Sequence, residues 1–402
     1  MGRARVSATE ATGGAAAVRP ETRAMIDKLI AFDTTSHKSN LELIAFVEDY
    51  LRDLGIPVEL TYDDDKRKAN LYATLGPADI GGIALSGHTD VVPVEGQEWS
   101  TDPFSVVEKD GRLYGRGTTD MKSFVAVALG HAPRFLEAGL KTPIHYCLSF
   151  DEEVGCLGVP RLLKALEAKP VRPKACFVGE PTDMKVVVAH KGMLSLICHV
   201  HGLECHSSLA PQGVNAVQAA ARVIVKLEDM AREKASQGPF DQAYVVPYTT
   251  IHTGVVRGGT ALNIVPKDCS FTFEFRSLPE EDSEALLAEV KRYAHEEIEP
   301  AMKAIAPETG FSWEARSRFP GLQTPEDAEV VALAKSLTGA NTTGKVPYGT
   351  EAGLFQDSGI PVVVCGPGNI AQAHKPDEFI SLEQVALCER FMDRLVEKAA
   401  RA

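Results

Sequence analysis

The chain has 402 residues of which 44% are hydrophobic, enough for a large buried core and, at this length, for two domains rather than one. Its formal net charge of −13 argues against nucleic acid or an anionic membrane surface as partner, because such binding needs concentrated Lys and Arg, and leaves a small molecule as the default ligand. The 8 cysteines form no CxxC pair and lie mostly in apolar runs, as expected of a reducing cytoplasm, and no segment reaches the roughly 18 consecutive apolar residues of a membrane span.

In chain order, residues 1–20 read as an Ala/Gly-rich disordered leader. They lack the apolar stretch of a signal peptide, and Val6 stands where myristoylation wants Ser or Thr; a transit peptide is the other reading of the three Arg and one Glu. Two helices follow over 21–53, the second ("NLELIAFVEDYLRDLG") closed by Gly55 and Pro57. "GIALSG" (82–87), "IHYCLSF" (144–150), "KACFVG" (174–179) and "IPVVVCG" (360–366) are apolar runs without alternation, as in strands buried on both faces. Helical stretches at 120–139 and 159–168 separate them, which predicts an α/β sheet covered by helices.

From residue 192 the pattern changes. "GMLSLICHVHG" alternates like a half-exposed strand, residues 213–235 form a long amphipathic helix, and two strands ("YTTIHTGVV", "CSFTFEFRS"), a helix (281–298) and a strand around "GFSWEARS" complete a β-α-β-β-α-β order. That order predicts a ferredoxin-like α+β unit with one sheet face free. The larger domain is set at 21–191 and 307–402 and the insert at 192–306, with the closing strand reaching toward residue 320.

The candidate chemistry lies at strand ends. His88 and Asp90 follow "GIALSG", Glu152 and Glu153 follow "IHYCLSF", Glu180 follows "KACFVG", and His374 stands in the loop after "IPVVVCG". Open α/β sheets place their sites just past the carboxyl ends of such strands. Asp120 opens a helix within a Gly-rich turn, a position where an isolated Asp is ordinarily an N-cap. Singly, each His reads as structural and the DEE run as a solvated loop. Charged groups after four separate apolar strands point instead to convergence on one edge, as a metal site.

"SGHTDVVP", "DGRLYGRGTTDMKS", "DEEVGCLG", "GEPTD" and "AHKPDEFI" resemble, in order, the signature segments of the M20 family of co-catalytic zinc aminoacylases and peptidases, and the resemblance runs from about residue 21 to the end. It implies a mixed-sheet, di-zinc aminopeptidase-like catalytic domain with an inserted ferredoxin-like dimerisation (lid) domain, two Zn²⁺ per subunit (Co²⁺ able to substitute), and a homodimer. Asp120 would bridge the ions, His88 and Glu180 completing one and Glu153 and His374 the other, with Glu152 as general base. Asp90 would accept the second N–H of His88 and fix its tautomer. Two cations about 3.5 to 4 Å apart activate water and polarise an acyl oxygen, and three carboxylates offset much of their charge. A metal-binding scaffold without catalysis would not need Glu152.

The resemblance further implies that His206 ("GLECHSS") reaches the partner's site to stabilise the oxyanion, although a surface His is its plainer reading, and that Asn263 ("TALNIVP") and Arg276 ("FEFRSLP") contact the substrate's carboxylate. "YGTEAGLF" supplies Thr350 as a substrate contact and Glu351 as partner of the ammonium of a basic amino-acid substrate, or else as a helix N-terminal charge. His199 and His201 read as non-functional.

Overall fold

The computed structural model describes residues 18–401. The leader reading falls almost wholly outside them, and where it overlaps the chain is ordered. Pro20 opens a helix (Pro20–Ile30), and Arg19 donates to Asp393 Oδ2 at 2.6 Å.

The strands, in chain order, are β1 (Val58–Tyr62), β2 (Ala69–Leu75), β3 (Ile83–His88), β4 (Val107–Lys109), β5 (Arg112–Tyr114), β6 (Ile144–Ser149), β7 (Ala175–Pro181) and β8 (Val187–His190). They continue with β9 (Gly192–His201), β10 (Thr250–Gly258), β11 (Asp268–Ser277), β12 (Gly310–Phe319), β13 (Leu322–Gln323), β14 (Gly344–Val346), β15 (Val362–Gly366) and β16 (Phe379–Ser381). The large mixed sheet has the order β1-β2-β6-β3-β7-β15-β8-β13, with β14 added on β8. Its centre, β6-β3-β7-β15, is parallel, as the non-alternating apolar runs predict.

Both faces of those strands are covered. Leu85, Tyr146, Phe177 and Val363 pack with the helices Pro20–Ile30, Leu41–Asp53, Lys122–Gly130 and Leu382–Arg401. Their sequence neighbours Ala84, Cys147, Cys176 and Val364 pack on the other side with Val159–Glu167 and Ala352–Asp357. Gly179 lets β7 lie against the helix that follows Asp120: a Cβ there would stand 2.1 Å from the Phe124 ring, so any larger residue would push the two elements apart.

The insert is a four-stranded antiparallel sheet, β10-β11-β9-β12. Leu194, Leu196, Cys198 and Val200 point to one face of β9 and pack, with Phe271, Phe273 and Phe275, under the helices Ala216–Gln237 and Ser283–Arg292, while His199 and His201 between and after them are exposed. Its fourth strand, Gly310–Phe319, pairs with β9 from Gly310↔His201 to Phe319↔Met193. The boundary expected at 306/307 is therefore too early by that strand, and the chain rejoins the large sheet at β13. A small third sheet, β16-β5-β4, was not foreseen; its pairing Phe379↔Tyr114 brings the segment after His374 beside the turn that ends at Asp120.

Among the described residues no helix is long and apolar enough to cross a membrane. All eight cysteines are unpaired, and seven are buried.

Candidate metal centre

The strand ends deliver the sequence-predicted groups to one place. His88 is the last residue of β3 and Glu180 lies in β7; Glu152 and Glu153 follow β6, Asp120 precedes the helix Lys122–Gly130, and His374 stands in the loop after β15. The two oxygens of Asp120 face different imidazoles: Oδ1 lies 3.0 Å from His88 Nε2, and Oδ2 lies 3.2 Å from His374 Nε2. His88 Nε2 is 3.6 Å from Glu180 Oε1, and His374 Nε2 is 3.0 Å from Glu153 Oε2. Ligand atoms of His88, Glu152 and Glu180 lie within 4.8 Å of one another, as do those of His88, Asp120 and Glu153.

This cluster calls for positive charge. Burial pushes Glu152 up to about 8, and the charges of Glu153 and Asp120 add to it. Burial and the Asp120 charge push Glu153 up to about 7, and burial drives Glu180 well above the carboxylate range. Asp120 goes the other way: burial opposes its ionisation, but hydrogen bonds from His374 and His88 hold it below its ordinary value. His374 is raised to about 10 by its hydrogen bonds to Asp120 and Glu153. Carboxylates crowded at low dielectric are stable as anions only beside cations. Glu153 Oε1 is also buried with no hydrogen-bond partner, an acceptor left unsatisfied on a carboxylate whose other oxygen faces His374. Carboxylate oxygens and imidazole nitrogens are the donor set Zn²⁺ takes, so these residues fit a metal.

The second nitrogen of His88 is also accounted for. Nδ1 lies 2.9 Å from the backbone carbonyl of Asp90 and donates to it, so Nε2 is the nitrogen turned toward Asp120 and the one that would give up its proton to a metal ion. Here the expectation for Asp90 needs correcting: its carboxylate, 3.6 Å from His88 Nδ1, is spent elsewhere. It accepts from the backbone N–H of Glu152 at 3.0 Å, from that of Glu153 at 3.3 Å and from Ser36 Oγ at 2.7 Å. Asp90 thus seats the turn that carries both glutamates.

A cavity of about 340 Å³ opens over the cluster. Asp120, Glu152, Glu153, Glu180 and His374 form its floor, and Met193, Arg276 and Phe319 of the insert form one wall. Arg276 stands there with Glu274, to which its Nε donates at 3.1 Å. Tyr348 and Ile370 also line the cavity and were not foreseen; the Tyr348 hydroxyl donates to the Pro181 carbonyl at 3.1 Å. Its place in "YGTEAGLF" was the available signal.

Four expected substrate-side groups lie elsewhere. Glu351 is 0% exposed; Oε1 accepts from Ser86 Oγ at 2.6 Å and Oε2 from Ser149 Oγ at 2.7 Å, so its carboxylate sits among β3 and β6 and not on the cavity wall. That burial gives its carboxylate no direct contact with the cavity, in contrast to the ammonium-binding position expected of it. Thr350 is buried as well, its Oγ1 accepting from the Ala352 N–H at 3.1 Å at the start of the helix Ala352–Asp357. His206 and Asn263 are exposed neighbours on the insert, joined where the Ser207 N–H donates to the Asn263 carbonyl at 2.9 Å, and neither lines the cavity of its own chain. His199 and His201 are exposed and paired with Glu314 and Asp268, away from the cavity.

Residues 84–398 match the model of peptidase family M20/M25/M40, and the chain belongs to that family; it is a hydrolase acting on an amide bond. Among curated proteins it is 36% identical over 388 residues to acetylornithine deacetylase of Myxococcus xanthus, covering 94% of this chain and 97% of that one. It is 35% identical over 368 residues to acetylornithine deacetylase of Proteus mirabilis (strain HI4320), covering 91% and 92%. The fold is shared with the M20 family metallo-carboxypeptidase Sso-CP2 of Sulfolobus solfataricus, at a TM-score of 0.74 and 17% identity over 96% of this chain and 100% of that one. It is shared too with the YXEP protein of Bacillus subtilis, described as a dinuclear metal binding peptidase, at a TM-score of 0.62 and 16% identity over 93% and 97%.

Proposed function

We propose that the protein removes the acetyl group from N2-acetyl-L-ornithine, giving L-ornithine and acetate in arginine biosynthesis, and that it does so with two Zn²⁺ per subunit, for which Co²⁺ can substitute. The observation that carries the metal reading is the Asp120 carboxylate, one oxygen toward His88 and the other toward His374. Asp120 would bridge the ions, with His88 and Glu180 on one side and Glu153 and His374 on the other. The substrate reading is supported by the relatives named acetylornithine deacetylase, 31% to 36% identical over most of the chain.

When bound, two such cations lower the pKa of a water between them and polarise the substrate's acyl oxygen. The protein's own part is the proton. Glu152 belongs to neither proposed ligand set and lines the cavity, so it is free to take the proton of the attacking water as the new C–O bond forms. It then delivers that proton to the amine nitrogen as the C–N bond breaks. Burial and the neighbouring carboxylates push Glu152 up to about 8, and cations beside it would pull that value down, supplying the basic form at neutral pH. Arg276 on the cavity wall is suited to the substrate's carboxylate by its two-pronged geometry.

His206 and Asn263, exposed together outside their own chain's cavity, support a homodimer in which each completes the partner's site. The unpaired cysteines support a cytoplasmic location. The test is release of acyl product from N2-acetylornithine, N-acetylmethionine and N-succinyl-diaminopimelate, with chelator and with Zn²⁺ or Co²⁺ restored. The expected result is the highest kcat/KM on N2-acetylornithine, lost with chelator and regained with metal. Preference for the succinyl compound would make the protein a succinyl-diaminopimelate desuccinylase, and no hydrolysis by metal-loaded protein would make it an inactive metal-binding paralogue.

A further inference from the structure

Glu378 stands four residues after His374, just before β16, and is 1% exposed. Its carboxylate is fully occupied. Oε2 accepts from Arg116 Nη1 at 2.7 Å and from the Gly117 N–H at 3.1 Å. Oε1 accepts from the Thr119 N–H at 2.8 Å and from the Asp120 N–H at 3.1 Å. The turn that carries Asp120 is therefore wound around an anion, which supplies acceptors its backbone donors would otherwise lack.

The contacts continue to the other ligand loop. Arg116, also 1% exposed, donates through Nη2 to Gln97 Oε1 at 2.6 Å, and Gln97 Nε2 donates to the backbone carbonyl of His374 at 3.1 Å. Trp99 Nε1 donates to the same Gln97 oxygen at 3.1 Å, which holds the amide in that orientation. The loop bearing Asp120 and the loop bearing His374 are thus tied at two points by one network, buried at the Arg116–Glu378 pair and reaching the surface at Gln97. A buried ion pair is poor value as a source of stability, since apolar residues of similar volume commonly replace it without loss. Its directional bonds are better suited to fixing geometry.

We propose that Glu378, with Arg116 and Gln97, is a positioning assembly that sets Asp120 and His374 at the separation needed by the metal ion they share. The inference rests on the metal reading above. None of the three residues lines the cavity, so they act through the ligands and not on the substrate.

The test titrates chelator-stripped protein with Zn²⁺ against a competing chromophoric chelator, and records the visible spectrum of the Co²⁺ form, for wild type, Glu378→Gln and Gln97→Ala. Glu378→Gln keeps the size of the side chain but turns an amide NH₂ toward N–H donors. It is expected to weaken one of two ions by roughly 10- to 100-fold, the range usual for partners of metal ligands, and to change the Co²⁺ spectrum, with KM for the substrate at saturating metal unchanged. Wild-type binding of two ions with Glu378→Gln unchanged in affinity and spectrum would overturn the inference and leave the metal reading standing. Wild type that takes up no metal would overturn both. Should Glu378→Gln fail to fold, Gln97→Ala decides: it leaves the Arg116–Glu378 pair in place, and a loss of roughly 10-fold confined to one ion is expected, whereas unchanged binding of both ions overturns the proposal.

Discussion

The carboxylate of Asp90 accepts the backbone N–H of Glu152 at 3.0 Å, so the residue two positions after His88 fixes where the proposed base stands. Asp90→Asn would leave the His88 hydrogen bond intact, because that bond goes to the Asp90 backbone carbonyl, but would set an amide NH₂ against the N–H of Glu152 or else against the N–H of Glu153 and the Ser36 hydroxyl. A fall in kcat of roughly 10- to 100-fold with near-normal metal content is expected, measured by acetate release and metal analysis on the same sample. Loss of metal in proportion to activity would show instead that Asp90 acts through His88.

Glu351 should support the site without selecting the substrate. Glu351→Gln is expected to lower kcat/KM for N2-acetylornithine and for the neutral N-acetylmethionine by the same factor, since its carboxylate is spent on Ser86 and Ser149. A loss of tenfold or more confined to the ornithine substrate would restore an ammonium-binding role that the geometry argues against.

The metal-free protein should lose stability as pH rises above neutrality. Glu153 at about 7, Glu152 at about 8 and His374 at about 10 all bind protons more tightly folded than unfolded. For groups raised in this way, stability is present below the unfolded pKa and is lost as pH climbs through the folded one. Asp120 has the opposite sign, but its window lies below its ordinary value of 3.8. Denaturant unfolding in chelator between pH 6 and 9 should therefore show a decline on the order of 1 to 3 kcal/mol, abolished when Zn²⁺ is added. A rise in stability over that range would contradict the charge arrangement described.

If His206 serves the partner's site, two inactive variants should rescue each other. Mixing His206→Ala with Glu152→Ala subunits under conditions of exchange should restore activity, because one of the two hybrid sites has both wild-type groups. No recovery after demonstrated exchange would remove the assignment across the dimer.

Much of this site was legible in the sequence because its parts obey one rule: apolar runs without alternation are central strands, and ligands follow their carboxyl ends. His88, Glu153 and Glu180 could be placed that way, and the alternation of Leu194, Leu196, Cys198 and Val200 marked the insert's half-exposed sheet. Other features had no such periodicity. The strands β4, β5 and β16 are three residues each, too short for a pattern, so the pairing that brings Glu378 to the Asp120 turn was invisible. Glu351 and Thr350 lie off the cavity for a related reason: the chain turns into a helix at Ala352, and which side of a tight turn meets the cavity depends on backbone direction, not on neighbours in sequence. The same turn leaves Tyr348 facing the cavity.

The most direct check on the division of labour in the site is the metal content and turnover of Glu152→Gln on N2-acetylornithine, set beside Asp120→Ala. Glu152→Gln is expected to retain both ions while kcat falls by several orders of magnitude, because a base is removed and no ligand is lost. Asp120→Ala should lose metal and activity together. A Glu152→Gln protein that lost its metal, or that kept most of its rate, would contradict the account.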